Sequence, residues 1–175
     1  VLVNYIRGFD DSANTGLRNR TIDKDINADG VIDDDDVWRL GDIIHSTPAV
    51  VATPAESYDT SYGDDTYKTF ITRYLSRRQM LYVGGNDGML HGFNGGFWDP
   101  ITLTFKTAGK KPDGSAATVH PLGAEVWGYV PQNLLPHLQW LPEPNYPHVY
   151  FMDGEPLVFD ANIFSADTDH PNGWG

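Results

Sequence analysis

Short apolar runs separated by polar, turn-forming stretches make up most of the chain, and β-branched or aromatic residues dominate those runs. Residues 43–52 form the first such run, which predicts a strand with a break or an edge at Pro48. Within residues 80–94, two apolar runs flank Gly85-Asn86-Asp87-Gly88. This pattern predicts a β-hairpin, because these residues accept the positive φ angles of a tight turn. The alternation in residues 125–130 predicts a further strand.

Helical patterns are fewer and shorter. In residues 67–78, apolar side chains recur at spacings of three and four, which predicts a short helix. Residues 132–141 predict a second short helix that is interrupted or restarted at Pro136. Between the hairpin and the strand at 125–130, residues 95–122 form a long insertion rich in Gly, Pro and Lys, and residues 101–105 within it predict an edge ribbon.

The order of these elements predicts the fold class. Residues 148–152 and 156–161 flank an Asp-Gly turn and predict a second hairpin. Strands that follow one another with a Gly-rich turn between the middle pair are typical of β-propeller blades. We therefore predict an all-β fold, a partial β-propeller with loop and short-helix insertions. We expect a leading segment at residues 1–42, followed at 43–175 by about one blade and part of the next, as a piece of a larger propeller.

The composition of the chain argues against some classes of binding partner. The chain has 175 residues, a net charge of −12 and a sequence pI near 4.6, which argues against binding to nucleic acid or to anionic membrane surfaces. A content of 40% hydrophobic and 13% aromatic residues is typical of a globular protein. The sequence has no Cys, so disulfides and thiolate sites are excluded. No apolar run approaches the roughly 20 residues of a membrane-spanning helix, so we expect no direct membrane insertion.

The strongest chemical motif is the acidic stretch at residues 25–36, which reads D-x-N-x-D-G-x-x-D-x-x-D. Oxygen-bearing side chains fall at positions 1, 3, 5, 9 and 12 of a twelve-residue loop, and Gly30 stands at position 6 for the sharp turn. Calcium takes about six to eight hard oxygen ligands, which such a curled loop can supply. The candidate ligands are Asp25, Asn27, Asp29, the backbone carbonyl of Val31, Asp33 and Asp36.

Two features separate this stretch from an ordinary EF-hand. Position 12 is Asp36, which is one methylene shorter than the usual Glu, so Asp33 and Asp36 are rival candidates for the closing ligand. One short turn fits between the loop and Gly41, where an EF-hand would have a full helix, so we expect an isolated calcium loop inserted in another fold, with Ile32 turned inward onto a core. The alternative is a solvated acidic loop without a cation.

Other conspicuous residues have simpler interpretations. We expect Asn86-Asp87-Gly88 to form a turn and not a ligand site. His45 and His91 have no carboxylate partner nearby in the sequence, so we expect structural hydrogen bonding and not catalysis. Trp127 is expected to pack between blades, whereas Trp98 lies in the insertion and is a candidate for a binding surface. The sequence has no Gly-rich phosphate loop, no G-x-S-x-G and no H-E-x-x-H motif, and we predict that the protein is not an enzyme.

Several motifs, taken in order, resemble known propeller sequences. Residues 46–51, 81–94 and 125–127 are similar to the quinoprotein-type repeat S-T-P-x-V, V-Y-V-G-x-N-D-G-x-L-x-A-F and E-x-W. More narrowly, residues 40–48 (LGDIIHSTP), 85–91 (GNDGMLH), 127–131 (WGYVP) and 150–154 (YFMDG) resemble the C-terminal propeller of the PilC/PilY family of type IV pilus biogenesis factors and tip-associated adhesins. The resemblance covers the chain from about residue 36 to its end, interrupted by the insertions.

This resemblance implies a modified, quinoprotein-like β-propeller on the bacterial cell surface, at the pilus tip or associated with the outer membrane. It implies pilin partners, major or minor, and host-surface receptors as further partners. It also implies that a bound Ca²⁺ regulates pilus extension and retraction, and with them twitching motility, or adhesion. In some members of the family the best-known calcium loop lies later in the propeller, whereas here the loop precedes the first recognisable blade.

Two other functions are compatible with parts of the pattern. A quinone-dependent dehydrogenase uses the same repeat, but those enzymes often carry a vicinal disulfide, which this chain cannot form. Dye-linked alcohol oxidation after addition of the quinone cofactor would identify it. A dockerin-like module would bind a protein partner through its calcium loop, but dockerins carry two such loops in tandem and this chain has one.

Overall fold

The computed structural model describes residues 1–9, 16–32 and 37–175. The helices are α1 (Leu2–Ile6), α2 (Tyr58–Ser61) and α3 (Asp65–Tyr74), with two 3₁₀ helices at Leu135–Trp140 and Pro171–Gly173. The strands are β1 (Ala49–Val51), β2 (Gln79–Gly84), β3 (Leu90–Asp99), β4 (Thr104–Lys106) and β5 (Glu125–Tyr129). The chain divides into two compact units. Unit 1 comprises Val1–Ser46, Gly84–Leu90 and Tyr129–Gly154, and unit 2 comprises Thr47–Val83, His91–Gly128 and Glu155–Gly175.

One five-stranded sheet contains every strand named above. Its strands run in the order β1-β2-β3-β4, and β5 also pairs with β3. The β1 and β2 strands are antiparallel with Val50 opposite Leu81, and β3 and β4 are antiparallel with Trp98 opposite Phe105. The open antiparallel sheet with short helices agrees with the all-β prediction. Closure into propeller blades remains a prediction.

The hairpin predicted at residues 80–94 is formed by β2 and β3. At its turn the amide of Gly85 donates to the carbonyl of Met89 over 2.9 Å, and Gly88 has a φ of +87°. A glycine accepts that angle without steric cost, which is why this turn was recognisable in the sequence. The predicted strand at 125–130 is also present as β5, and β4 supplies the edge ribbon of the insertion.

Strand formation at residues 43–52 is more limited than predicted, because β1 begins after Pro48. Before Pro48 the chain is fixed by side chains. The hydroxyl of Ser46 accepts the amide of Gly84 over 2.9 Å, and His45 lies 2.5 Å from the carboxylate of Asp153. Proline cannot donate to a ladder, so the strand begins where its partner β2 offers uninterrupted pairing.

Unit 2 has an aromatic core built around α3. Asp64 caps this helix, accepting the amide of Thr66 over 2.8 Å and that of Tyr67 over 3.2 Å, so the helix begins two residues earlier than its apolar pattern predicted. Tyr67 and Phe70 are buried on one face and pack with Trp174. Of the apolar residues whose spacing predicted the helix, Phe70 lies in this core, and Ile71 and Tyr74 pack against it.

Unit 1 has a smaller core of Tyr5 from α1 with Leu138 and Leu141 from the 3₁₀ region. The helix predicted at 132–141 is a 3₁₀ helix, Leu135–Trp140, with Pro136 in its first turn. Proline is tolerated there because the first amide groups of a helix have no intrahelical acceptor.

The prediction of a second hairpin was wrong, because residues 148–152 and 156–161 contain no strand. Some of their backbone donors are satisfied by side chains. The amide of Val149 donates to the Tyr146 hydroxyl over 3.0 Å, and that of Phe151 donates to the Asn86 Oδ1 over 3.1 Å. Across the described ranges, no helix is both long and apolar enough to cross a bilayer.

Candidate metal centre

The acidic loop is closed at its base. Thr21 and Val37 form an isolated antiparallel bridge, and the amide of Trp38 donates to the carbonyl of Arg20 over 3.0 Å. Val37 is 2% exposed, so the end of the loop is anchored by burial as well as by hydrogen bonds. The guanidinium of Arg20 also donates to the carbonyl of Tyr5 over 3.0 Å, which ties the loop base to the core of unit 1.

The first three candidate ligands gather around one turn of backbone. The Asp25 carboxylate accepts the amides of Asp29 over 3.1 Å and Gly30 over 2.9 Å. The Asn27 Oδ1 accepts the Asp29 amide over 3.0 Å, and the Asp29 Oδ1 accepts the Val31 amide over 2.8 Å. Because these side-chain oxygens accept from neighbouring backbone amides, the side chains at loop positions 1, 3 and 5 bend over the same segment.

Two residues of this turn have positive φ. Gly30 has a φ of +91°, and a side chain there would have open space around it, so the glycine is required for its backbone angle and not for room. Ala28 has a φ of +61°, which is unfavourable for a residue with a Cβ atom. The side-chain hydrogen bonds of the flanking Asn27 and Asp29 hold the chain in this conformation.

The donor chemistry of this turn suits calcium. Asp25, Asn27 and Asp29 are exposed and supply carboxylate and amide oxygens, the hard ligands that Ca²⁺ prefers. Asp33 and Asp36 lie outside the described residues. The two therefore remain rival candidates for the closing ligand. Among the described residues, no three His, Cys, Asp or Glu side chains lie close enough to hold a metal ion, so the proposed ligand set depends on those two positions.

The expected inward orientation of Ile32 was wrong. Ile32 is 59% exposed and Val31 is 55% exposed, whereas Val37 is 2% exposed. The buried contact of the loop therefore comes from its base, where Val37 forms the bridge to Thr21. Burial of Val37 and the hydrogen bonds at the base hold the loop, and Ile32 lies at the surface.

Next to the loop, two of the family-like motifs, at residues 40–48 and 85–91, meet at Asp42, together with His148. Its carbonyl accepts the amide of Asn86 over 3.0 Å, and its Oδ2 lies 2.8 Å from the Nε2 of His148. The amide of Gly41 donates to the Asp87 Oδ2 over 2.8 Å, and a side chain at Gly41 would collide with the Asp87 backbone. The Gly85–Gly88 turn thus connects the exit of the loop to the segment at His148.

This environment changes the titration of Asp42. Partial burial alone would raise its pKa, but hydrogen bonds from His148 and Asn86, together with the positive charge of His148, lower the pKa below its ordinary value of 3.8. The charged carboxylate is therefore the form that the folded protein favours.

A cavity of about 360 Å³ adjoins the loop base. Thr21 and Trp38 from the two ends of the loop line it, together with Asp42, Asn86 and His148. Arg18, Arg20 and Arg39 also line it, so both signs of charge face the same space. Residues adjoining the acidic loop and residues of the Asp42 network therefore share one cavity.

Both histidines have carboxylate partners that sequence proximity could not reveal. His45 lies 2.5 Å from Asp153, which is 108 residues later, and the buried His91 lies 2.7 Å from Glu125, which is 34 residues later. The expected hydrogen bonding of both histidines is thus present in the structure, with partners from distant segments. Trp98 is 45% exposed beside Phe105, as expected of a surface residue.

Comparison with curated proteins finds relatives over about 70% of the chain. The type IV pilus biogenesis factor PilY1 of a Pseudomonas aeruginosa strain is 36% identical over 130 residues, which are 70% of this chain and 9% of the relative. A PilY1 homolog of Xylella fastidiosa is 30% identical over 124 residues, 69% of this chain and 8% of the relative. A second Xylella fastidiosa homolog is 31% identical over 133 residues, 71% of this chain and 7% of the relative.

The chain thus spans less than a tenth of the length of these relatives. No protein-family model matches it, and no solved structure matches it significantly. Two of the motifs that carry the resemblance, at residues 40–48 and 85–91, meet at Asp42 in the structure. The chain therefore belongs to the PilC/PilY family of type IV pilus biogenesis factors.

Proposed function

We propose that this chain is a calcium-binding propeller module of a cell-surface protein that assembles type IV pili or mediates their adhesion. The observation that carries the proposal is the turn in which Asp25, Asn27 and Asp29 gather their oxygens, within a chain related to pilus biogenesis factors. The role is structural and regulatory and not enzymatic. Its partners are pilins and host-surface receptors, and its location is the pilus tip or the outer surface of the cell.

The strand order supports the propeller part of the proposal. The strands β1, β2, β3 and β5 are neighbours in the sheet in the same order in which they occur in the chain. That is the arrangement of a four-stranded propeller blade. In this interpretation β4 pairs with the far end of β3 and belongs to a ribbon inserted between the third and fourth strands.

Calcium acts in this proposal by neutralising the aspartates and ordering the loop. Without a cation the carboxylates of Asp25 and Asp29 repel each other. A bound Ca²⁺ removes this repulsion, because both carboxylates coordinate it. Because Thr21 and Trp38 at the loop base also line the 360 Å³ cavity, ordering of residues 20–42 fixes the shape of that cavity. The cavity and its rim are the surface at which a pilin contact would depend on calcium.

The first test measures thermal stability with calcium and with chelator. Calcium that binds only the folded state stabilises it by about 2.7 kcal/mol at a hundredfold excess over its Kd. We expect Asp29→Ala to lose this stabilisation, and Glu155→Ala, which removes an exposed carboxylate elsewhere, to retain it. A chelator-induced fall in Tm of equal size in wild type and Asp29→Ala would contradict calcium binding at this loop. Asp33→Ala and Asp36→Ala identify the closing ligand, because its loss weakens calcium binding more.

The same variant in cells tests the role in pili. We expect bacteria whose protein carries Asp29→Ala to display a changed number of surface pili or reduced adhesion, and bacteria with Glu155→Ala to behave as wild type. Normal piliation and adhesion with Asp29→Ala, alongside lost calcium stabilisation, would contradict the regulatory role while leaving the calcium site intact.

A further inference from the structure

Unit 2 contains a cavity whose charge is opposite to that of the chain. The cavity has a volume of about 420 Å³. Its charged lining consists of Arg77, Arg78, Lys110 and Lys111, with His120 beside them, and no Asp or Glu among the described residues lines it. Four of the 12 Lys and Arg residues therefore face one cavity in a chain with a net charge of −12.

The rest of the lining is largely apolar. Val51, Met80, Tyr82 and Phe97 contribute to the walls, and they come from the strands β1, β2 and β3. A cavity of a few hundred Å³ with apolar walls and a small number of placed charged groups is the usual form of a small-ligand site. The sheet supplies rigid walls, because these residues lie in or beside paired strands.

Arg78 is held in place by neutral partners. Its Nη1 donates to the Asn94 Oδ1 over 2.7 Å, its Nη2 donates to the carbonyl of Thr118, and its guanidinium lies 4.8 Å from the centre of the Phe97 ring. Each of these contacts orients the guanidinium, and none cancels its charge. Burial lowers the pKa of Arg78, which indicates that the charge is poorly solvated.

The positive charge of Arg77 is only weakly compensated by its neighbours. Its Nε donates to the carbonyl of Ala52, and its Nη2 lies 4.0 Å from the Asp160 carboxylate. That carboxylate already accepts the Tyr67 hydroxyl over 2.6 Å. A half-buried charge with mostly neutral partners is costly, and an anion in the cavity would offset that cost.

The two lysines lie at the start of a tight turn. Lys110 forms an isolated bridge with Ala116, and the amide of Lys111 donates to the carbonyl of Ser115 over 2.9 Å. The acidic residue of this turn, Asp113, accepts the amide and hydroxyl of Ser115, so its carboxylate is engaged by the turn itself. Lys110 and Lys111 are exposed and line the same cavity as Arg77 and Arg78, which precede β2.

We propose that this cavity binds a carboxylate group carried on an apolar body. The guanidinium fork and the ammonium groups match a carboxylate, and the apolar walls match the group to which it is attached. A long polyanion such as nucleic acid is disfavoured by the net charge of −12. The carboxylate has two possible sources: an acidic residue of a peptide segment or a free small acid.

Isothermal titration at low ionic strength tests this site with two pairs of probes. The first pair is phenylacetate and its uncharged amide. The second pair is the peptide Phe-Glu-Val, acetylated at its N-terminus and amidated at its C-terminus, and the Phe-Gln-Val peptide blocked in the same way. We expect saturable binding of the carboxylate probes and none of the amide probes. Lys111→Gln and Lys110→Gln should each weaken binding about three- to tenfold, and Arg78→Lys about tenfold. Lys68→Gln removes an exposed charge on α3 outside the cavity and should leave binding unchanged.

The results distinguish a peptide segment from a free acid as the source of the carboxylate, and they can also refute the proposed site. Tighter binding of the peptide identifies a protein segment, and tighter binding of phenylacetate identifies a free acid. The site is refuted if neither carboxylate binds to the folded protein, if amide probes bind equally, or if Lys68→Gln weakens binding as much as Lys111→Gln. Inorganic phosphate binding more tightly than both carboxylates also refutes it. Lys110 and Lys111 are exposed, so their variants test the site even if Arg78→Lys fails to fold.

Discussion

At the scale of single residues, Asp42 connects the exit of the acidic loop to the rest of unit 1. It contacts Asn86 through both its backbone and its side chain and lies 2.8 Å from His148. These residues lie in three separate segments of the sequence, and nothing in their spacing indicates that they meet. The carboxylate is half exposed, so the pairing is screened by water and contributes modestly.

Asp42→Asn tests this contribution. The pKa of Asp42 is lowered in the folded state, so its stabilising effect is present above the ordinary value of 3.8 and is lost as the pH falls through the lower folded value. We expect the variant to lose at most about 1 kcal/mol near neutral pH. The difference from wild type should begin to shrink below about pH 5 and continue to shrink as the pH falls past 3.8.

Thermal denaturation over that pH range measures the effect, with Asp65→Asn as a control for the loss of an exposed carboxylate. A difference in Tm that stays constant from neutral to acid pH would show that the charge of Asp42 is not the stabilising feature.

At the scale of elements, α3 shows how a local signal and a distant partner combine. The apolar spacing is local and was visible in the sequence, and the cap at Asp64 is a second local feature, which the structure revealed. The Tyr67 hydroxyl, in contrast, donates to Asp160 over 2.6 Å and accepts the amide of Glu56 over 2.9 Å. Burial and the bond to Asp160 raise the pKa of Tyr67, so its hydroxyl remains protonated.

Tyr67→Phe removes both of these hydrogen bonds while keeping the ring. We expect the free energy of unfolding to fall by about 1–3 kcal/mol, because the Asp160 carboxylate and the Glu56 amide lose a buried partner. Urea denaturation measures the change. Tyr62→Phe is the matched control, since Tyr62 is 80% exposed, and equal effects of the two variants would disprove the role of the Tyr67 bonds.

The two predicted hairpins show where local sequence patterns were insufficient to predict strands. The hairpin of β2 and β3 was predicted because a turn sequence and its flanking apolar runs are adjacent in the chain. The runs at 148–152 and 156–161 had the same pattern, yet they form no strands. There the amide of Val149 donates to the nearby Tyr146 hydroxyl, and that of Phe151 donates to Asn86, a tertiary partner 65 residues away.

At the scale of the whole molecule, each unit has its own small core. Unit 2 depends on Trp174, one residue from the end of the described chain, which lies 4.7 Å from the ring of Tyr67 and 5.4 Å from that of Tyr58. Its indole nitrogen also donates to Thr66 over 2.9 Å. A residue distant in sequence from α3 therefore completes the core on which that helix packs.

We expect Trp174→Ala to lower the free energy of unfolding of unit 2 by about 3–5 kcal/mol, the usual cost of removing a buried aromatic side chain. Trp98→Ala, at a position that is 45% exposed, should cost much less. Urea denaturation followed by hydrogen exchange of α3 amides measures both. A loss after Trp174→Ala no larger than that after Trp98→Ala would contradict the assignment of Trp174 to the core.

The sequence alone determined the features that depend on neighbouring residues. These are the hairpin turn at Gly85–Gly88, the helix at α3 and the order of oxygen donors in the acidic loop, because turn angles, helical periodicity and ligand spacing are local properties. Tertiary structure decided which distant groups meet. Asp42 with His148 and Tyr67 with Asp160 are 106 and 93 residues apart, and the cationic cavity combines arginines beside β2 with lysines from the insertion. Such pairings depend on how strands and loops pack together, which no local pattern encodes.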